Sequence, residues 1–461
     1  MNATQSNPRS TVDFQRSDAA HHIHAFLDQK ALNASGPRVM VKGKGVYLWD
    51  NDGNEYIDGM SGLWCTNVGY GRPELVSAAA RQMDELSYYN MFFHTTHPRV
   101  IELSEKLFGI LGDRSSHVLY TNSGSESNEA LIRAVRRFWD VVGKPDKKIL
   151  IGRLNGYHGS TVGSASLGGM DFMHKMGDLP IPGIEHVAEP YWYAHGGELS
   201  PEEFGRQAAQ TLETRILSLG AGRVAAFIAE PFQGAGGMIF PPAGYWAEIQ
   251  RICRKYDVLL CVDEVIGGFG RTGEWFGFEH FGFVPDTITV AKGLTSGYVP
   301  MGGLILSRQI GDALVEKGGV FAHGLTYSGH PVAAAVALAN LEVIEKENLV
   351  ANARSGAGAY LQKTVRELFS NHPLVGEIQG TGMLAALQFA QNRTTRQRFA
   401  NEQDVAWRCR TLGFEYGAIL RSTLGRIIVA PALVFTNAQI DALLEKMKRA
   451  VDQTAREFGV L

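Results

Sequence analysis

Residues 258–295 read VLLCVDEVIGGFGRTGEWFGFEHFGFVPDTITVAKGLT, and the fold turns on how they are parsed. Val258, Leu259, Leu260, Cys261 and Val262 make a run of strand length that ends in a carboxylate pair, Asp263-Glu264. A Gly-rich loop comes next, and a second β-branched run, residues 287–290, ends in Ala291-Lys292-Gly293. Continuous apolar runs this short read as parallel strands buried on both faces. In open α/β sheets ligands collect at the carboxyl ends of strands. Neighbouring strands that end in Asp263 and Lys292 therefore aim a carboxylate and an amine into one crevice.

Three chemistries compete for this stretch. An apolar strand ending in Asp-Glu suits magnesium binding in a nucleotide hydrolase, but that requires a G-x-x-x-x-G-K-[ST] loop. The Gly-Lys pairs here, Gly43-Lys44 and Gly143-Lys144, are followed by Gly45 and Pro145, so the loop is missing from the sequence. Gly268-Phe269-Gly270-Arg271-Thr272-Gly273 matches the dinucleotide fingerprint G-x-G-x-x-G. That fingerprint should open a helix, whereas residues 274–282 are aromatic and interrupted by glycine. The third chemistry is that of pyridoxal phosphate, in which a lysine bonds to the cofactor aldehyde and a carboxylate keeps the pyridine nitrogen protonated. Taken singly, Lys292 is equally a solvated amine and Asp263 a helix cap. The rest of the chain has to decide.

With 461 residues the chain can hold two domains with sizeable cores. Its 45% hydrophobic and 20% charged residues and net charge of −3 suit a soluble globular protein without a nucleic-acid or membrane partner. Cys65, Cys253, Cys261 and Cys409 are scattered, which argues against a disulfide framework or a zinc centre. No apolar run reaches membrane-spanning length and no signal-peptide core is present, so a cytoplasmic protein is expected. His21-His22-Ile23-His24 suggests a metal only if acidic or Cys companions stand at ligand spacing. None is apparent, and no metal is expected.

Working outward, residues 1–18 are polar and expected to fray, and Asn51-Asp52-Gly53-Asn54 between two apolar runs signals a hairpin. A Gly-punctuated loop then carries Trp64, and residues 88–93 form an aromatic cluster that suits core or pocket wall alike. A strand at 118–121, the turn Asn122-Ser123-Gly124-Ser125-Glu126-Ser127-Asn128 and a helix at 129–141 would cradle a phosphate with free N–H groups and a helix dipole. A plain N-cap is the other reading. Tyr157, just past a strand at 149–151, is placed to stack on a planar ring, whereas His158 reads as structural. A strand at 224–229 ends in Glu230-Pro231, a helix spans 245–256, and a strand at 302–307 leads to a long Ala-rich helix at 332–346. Such alternation implies a largely parallel sheet with helices on both faces.

After about residue 345 the pattern becomes a smaller α+β domain, with helices at 350–369, 405–412 and 437–458. Its strand segments lie at 375–378, 383–387, 419–421 and 426–429. Arg421 would end one of them and could return to the cleft to bind a carboxylate; a surface salt bridge is the alternative. The expected division is an N-terminal segment, 1–70, packing with the small domain, a large domain, 71–345, and a C-terminal small domain, 346–461.

Together these stretches resemble the class III pyridoxal-phosphate aminotransferases, from about Gly36 to the C-terminus. The resemblance rests on Asn122-Ser123-Gly124-Ser125-Glu126, Asn155-Gly156-Tyr157-His158-Gly159, Glu230-Pro231, Asp263-Glu264-Val265, the Gly268–Gly273 glycines, Ala291-Lys292-Gly293 and His323-Gly324-Leu325-Thr326-Tyr327-Ser328-Gly329-His330-Pro331. It implies an α/β fold of type I, aspartate aminotransferase-like, with a mostly parallel central sheet. By resemblance Lys292 is the Schiff-base lysine and Asp263 pairs with the pyridinium nitrogen. Val265 and Tyr157 sandwich the ring, Ser123, Gly124 and Ser125 hold the phosphate, and His158 and Glu230 complete the cofactor site. Thr326 joins the phosphate from a partner subunit, which implies a homodimer or a larger assembly.

Within the family the chain looks most like the ω-amino acid or diamine:pyruvate aminotransferases. Ile266 stands where 2-oxoglutarate specialists usually carry Gln, and the Gly62–Cys65 and Tyr89–Phe93 stretches resemble the pyruvate-using group. Trp64 and Phe92 are then expected to line the substrate pocket with Tyr157. Arg421 is expected to bind the carboxylate of alanine or pyruvate and to swing out for amines lacking one. A decarboxylase, an aminomutase and a non-catalytic cofactor-binding protein all remain open, because each would keep Lys292 and Asp263.

Overall fold

The computed structural model, which describes residues 9–461, folds into three sheets. An N-terminal sheet is built from β1 (Met40–Lys44), β2 (Tyr47–Asp50) and β3 (Glu55–Asp58), with the expected hairpin turn between β2 and β3. The central sheet holds β4 (Ser115–Thr121), β5 (Ile149–Arg153), β6 (Ile184–Val187), β7 (Val224–Ala229), β8 (Leu259–Asp263), β9 (Thr287–Val290) and β10 (Gly302–Ser307). The last part adds β11 (Val375–Thr381), β12 (Leu384–Phe389), β13 (Ala418–Ile419), β14 (Arg421–Thr423) and β15 (Arg426–Val429).

The seven central strands run in the order β4-β10-β9-β8-β7-β5-β6. The pairs β9/β8, β8/β7, β7/β5 and β5/β6 are parallel, and β10 is antiparallel to both of its neighbours. Strands β7, β8 and β9 are buried throughout, as expected of strands covered by helices on both faces. One covering helix, Gly124–Val141, turns Ala130, Leu131, Ala134, Val135, Phe138 and Trp139 onto the sheet.

The C-terminal sheet is antiparallel in the order β11-β12-β15-β14, whereas β13 leaves it to pair in parallel with β3, Ala418 opposite Ile57. The strand expected at 419–421 is therefore two strands in two sheets, parted at Leu420, and Arg421 begins β14 rather than ending a strand. The helix expected at 350–369 is also two, Leu349–Ser355 and Ala357–Phe369. Gly356 breaks it, and the Asn352 carboxamide oxygen accepts from the Ala357 N–H at 3.0 Å to start the second.

The N-terminal region departs from its reading as a frayed tail. Residues 1–8 lie outside the described residues, but Thr11–His21 is a helix capped by Ser10, whose hydroxyl accepts from the Asp13 N–H. Asp18 also proves to be the acidic companion missing from the His21–His24 reading. Its carboxylate meets His22 Nδ1 at 3.1 Å, four residues on where the helix ends, and His24 Nε2 at 2.7 Å, where the chain turns back after the helix. Beyond this bend, Phe26 sets its ring edge-on to Tyr157, the ring centroids 6.4 Å apart. Among the described residues no helix is long and apolar enough to cross a membrane.

Candidate active site

Parallel pairing of β8 with β9 places Asp263 opposite Thr289, so Lys292, three residues further on, projects beyond the same sheet edge. Both line a cavity of about 310 Å³ at the carboxyl ends of the strands, together with Ser123, Gly124, Ser125, Tyr157, His158, Glu230 and Val265. Thr295 and Met301, after β9, line it as well. Lys292 sits in the left-handed region with φ of 43°. That conformation costs a non-glycine residue about 1–3 kcal/mol and persists only where the surroundings impose it.

The Asp263 carboxylate is buried and densely bonded. Its Oδ1 accepts from the Val265 N–H at 3.0 Å; its Oδ2 accepts from His158 Nδ1 at 2.8 Å and Asn128 Nδ2 at 2.9 Å. Burial pushes its pKa up, but the His158 contact foremost, then Val265 and Asn128, outweigh it and hold the carboxyl below its ordinary range. Lys292 shows the opposite balance. Burial lowers its pKa, and Asp263, Cys65 and Glu230 offset only part of that. The pair thus presents an anion and an amine with an increased neutral fraction across one cavity.

Ser123 caps the Gly124–Val141 helix, its hydroxyl accepting from the Glu126 N–H at 3.2 Å. The free N–H groups of this first turn face the cavity that Ser123, Gly124 and Ser125 line. A Cβ on Gly124 would lie 2.9 Å from Val265 Cγ2, so glycine is what lets the helix approach the Val265 wall. Ser125 Oγ accepts from the Ser160 N–H at 3.1 Å, which ties this turn to the loop bearing Tyr157 and His158. Gly159 sits beneath it at φ 135°, where a Cβ would strike Ser125 Oγ. Glu230 bridges the same loop: its oxygens accept from the Tyr157 N–H at 3.1 Å and the Gly234 N–H at 2.9 Å, and burial drives its carboxyl up.

A helix N-terminus flanked by serine hydroxyls, the Tyr157 ring, the apolar Val265, a buried carboxylate and an amine line one cavity, and these are what a phosphorylated pyridine aldehyde requires. The residues fit pyridoxal phosphate. The Gly268–Gly273 glycines do other work: Arg271 is buried among them and donates to the Ala430 and Pro431 carbonyls at 3.0 and 2.7 Å. Only the short helix Gly277–Phe281 comes after them, not one opening on a dinucleotide.

Four expected site residues do not line this cavity. Trp64 is buried beside it under the Arg421 guanidinium, 4.4 Å from the ring centroid. Burial lowers the Arg421 pKa to about 10, and its positive charge adds to the lowering at Lys292. Phe92 is 44% exposed and Thr326 is exposed, its carbonyl accepting from the Tyr88 hydroxyl at 2.8 Å. Asn128, by contrast, touches Asp263 without having been singled out. Starting the helix at 129 hid it, since it lies one turn after Gly124 on the face toward β8.

Residues 30–451 match the family described as Aminotransferase class-III. The chain is 51% identical to a putrescine–pyruvate aminotransferase of Pseudomonas aeruginosa over 99% of both chains. It is 44% identical to a diaminobutyrate–2-oxoglutarate transaminase of Halomonas elongata over 94% of both. Among solved structures, the ω-transaminase of Pseudomonas jessenii in complex with PMP is similar with a TM-score of 0.94 and 38% identity, over 96% of this chain and 99% of that one. An (S)-enantioselective ω-transaminase of Thermomicrobium roseum gives 0.92 and 39%, over 96% and 98%.

Proposed function

This chain belongs to the class III aminotransferases, pyridoxal-phosphate enzymes of fold type I, and from that premise we propose that it carries an amino group from a diamine, ω-amino acid or other primary amine to pyruvate. The products are L-alanine and an aldehyde or keto acid. The observation that carries the reading is the meeting of Asp263 and Lys292 in one cavity beside the Ser123–Ser125 cradle. Likeness to the putrescine–pyruvate enzyme supports pyruvate as acceptor and makes putrescine the first donor to test.

Bound pyridoxal phosphate supplies an aldehyde that bonds to amines and a ring that draws electrons from the carbon bearing nitrogen. The chain's residues do the rest. Ser123, Gly124 and Ser125 would hold the phosphate, and Tyr157 and Val265 would enclose the ring. Asp263 offers an anion to the ring nitrogen, while His158 and Glu230 set the loop on which Tyr157 rides. Lys292 Nζ would hold the cofactor between turnovers and, when free, would serve as the base that takes and returns the proton of the substrate carbon. Arg421, Trp64 and Phe92 recognise substrate, Arg421 binding the pyruvate carboxylate and withdrawing for donors without one. The working unit is a homodimer or larger, cytoplasmic, with Thr326 reaching the partner's phosphate site.

The test is the visible absorbance of the cofactor-loaded protein as putrescine, β-alanine, taurine or an arylalkylamine is added, followed by pyruvate. The visible band should bleach with a good donor and return with pyruvate as L-alanine forms. Return with 2-oxoglutarate alone would overturn the acceptor and favour the chemistry named for the Halomonas elongata relative. No visible band after adding pyridoxal phosphate would overturn the role of Lys292. Carbon dioxide release would point to a decarboxylase instead.

A further inference from the structure

The two oxygens of Asp263 are used unequally. An ionised carboxylate oxygen has two lone-pair sites. Both at Oδ2 are taken, by His158 Nδ1 and Asn128 Nδ2, whereas Oδ1 accepts only the Val265 N–H. Oδ1 is therefore the oxygen with capacity to spare for a further donor. The second N–H of Asn128 Nδ2 goes to the His158 carbonyl at 2.7 Å. Both neighbours of this amide nitrogen are acceptors, so a flipped Asn128 would set oxygen against oxygen, and one orientation is enforced. The side chain is fully buried.

Asn128 stands one turn into the Gly124–Val141 helix whose first turn forms the phosphate cradle. A helix is rigid over one turn, so the cradle and the support of Asp263 are held at a constant separation by a single element. We propose that Asn128 is a positioning residue for the cofactor: its amide fixes the rotation of the Asp263 carboxylate, anchors the His158 loop and leaves Oδ1 to the ring nitrogen at a set distance from the phosphate. The inference rests on the role proposed for Asp263. The ionisable groups whose charge couples to that of Asp263 are His158, Glu230, Glu264 and Lys292.

Asn128→Asp keeps the shape but donates only while protonated, and when ionised it sets a second anion against Asp263. Apoprotein affinity for pyridoxal phosphate, read by fluorescence quenching from mildly acid to mildly alkaline pH, should therefore fall for Asn128→Asp relative to wild type as pH rises. The ratio should reach about tenfold or more at the alkaline end, the scale of a lost bond to a charged group. Asn128→Gln, which retains the amide donor, should bind more tightly than Asn128→Met, which has similar length and no donor, at every pH, and this comparison decides if Asn128→Asp does not fold. Parallel pH profiles for wild type and Asn128→Asp, or equal affinities for Asn128→Gln and Asn128→Met, would overturn the inference. Asp263→Asn is the control for its premise. If Asp263→Asn leaves affinity unchanged, the role of Asp263 fails and this inference with it; if Asp263→Asn weakens binding and the Asn128 variants do not, only the inference fails.

Discussion

Lys292 and Arg421 show how one dielectric environment serves two tasks. Burial lowers the Lys292 pKa, which raises the share of neutral amine able to act as nucleophile and base. Arg421 remains a cation even at about 10 and is seated on Trp64, so its charge stays available to a carboxylate. Arg421→Ala should raise KM for pyruvate about tenfold or more, the worth of a charge-assisted pair, while kcat/KM for an amine without a carboxylate changes little. Steady-state kinetics with both substrates checks this, and an equal loss for both would remove Arg421 from acceptor recognition. Glu264, next to Asp263, behaves differently. It is fully buried, and burial drives its carboxyl up to about 8 from 4.5, although the Gly277 and Phe278 N–H groups partly oppose the shift. Between those values the folded protein holds a proton that the unfolded chain has released, so this group's contribution to stability falls as pH rises through the window. Relative to Glu264→Gln, which does not titrate, wild type should lose on the order of a few kcal/mol from about pH 5 to about pH 8. Urea unfolding of both proteins across that range measures it, and a constant difference would mean that Glu264 is ionised throughout.

Elements place these side chains, and the Gly124–Val141 helix with its cap Ser123 brings the Ser123–Ser125 turn and Asn128 to the site. Ser123→Ala removes the acceptor for the Glu126 N–H, which should cost the apoprotein about 1 kcal/mol and weaken inorganic phosphate as a competitor of pyridoxal phosphate. A stability loss with unchanged phosphate competition would make Ser123 a cap and nothing more. Element type is legible in the sequence here, and boundaries are less so. Ser123, Gly124 and Ser125 look like a turn because each favours turns locally, yet the capped helix starts at Gly124, since one hydrogen bond from the cap offsets their weak helix propensity. The break at Gly356 and the parting of 419–421 at Leu420 are hidden for a related reason. Apolar periodicity continues across both, and only the partners of the flanking segments, Asn352 for one and β3 for the other, decide where the chain turns.

At the scale of the whole molecule, an aromatic surface remains to be covered. Phe93 is 85% exposed, Tyr89 50% and Tyr327 58%. Phe93 lies against Phe92, and Tyr88 lies edge-on to Tyr327. Contiguous apolar patches of this kind mark interaction surfaces, and this one carries both Phe92 and Thr326, the expected site residues that do not line their own chain's cavity. Sedimentation should find a dimer or larger species. Phe93→Glu should shift it toward monomer and lower specific activity as the protein is diluted; a fully active monomer would remove the partner from the site. The sequence by itself determined the alternation of strands and helices, the strand–turn–helix unit around Ser123–Ser125, and Asp263 and Lys292 as strand-end chemistry, because strand length, turn chemistry and local motifs are short-range properties. Tertiary structure alone decided that β13 joins the N-terminal sheet, that Arg421 rests on Trp64 and that Asn128 reaches Asp263. Those contacts join residues far apart in sequence, 135 positions for Asn128 and Asp263, and local preference carries no information about which distant surfaces will pack together.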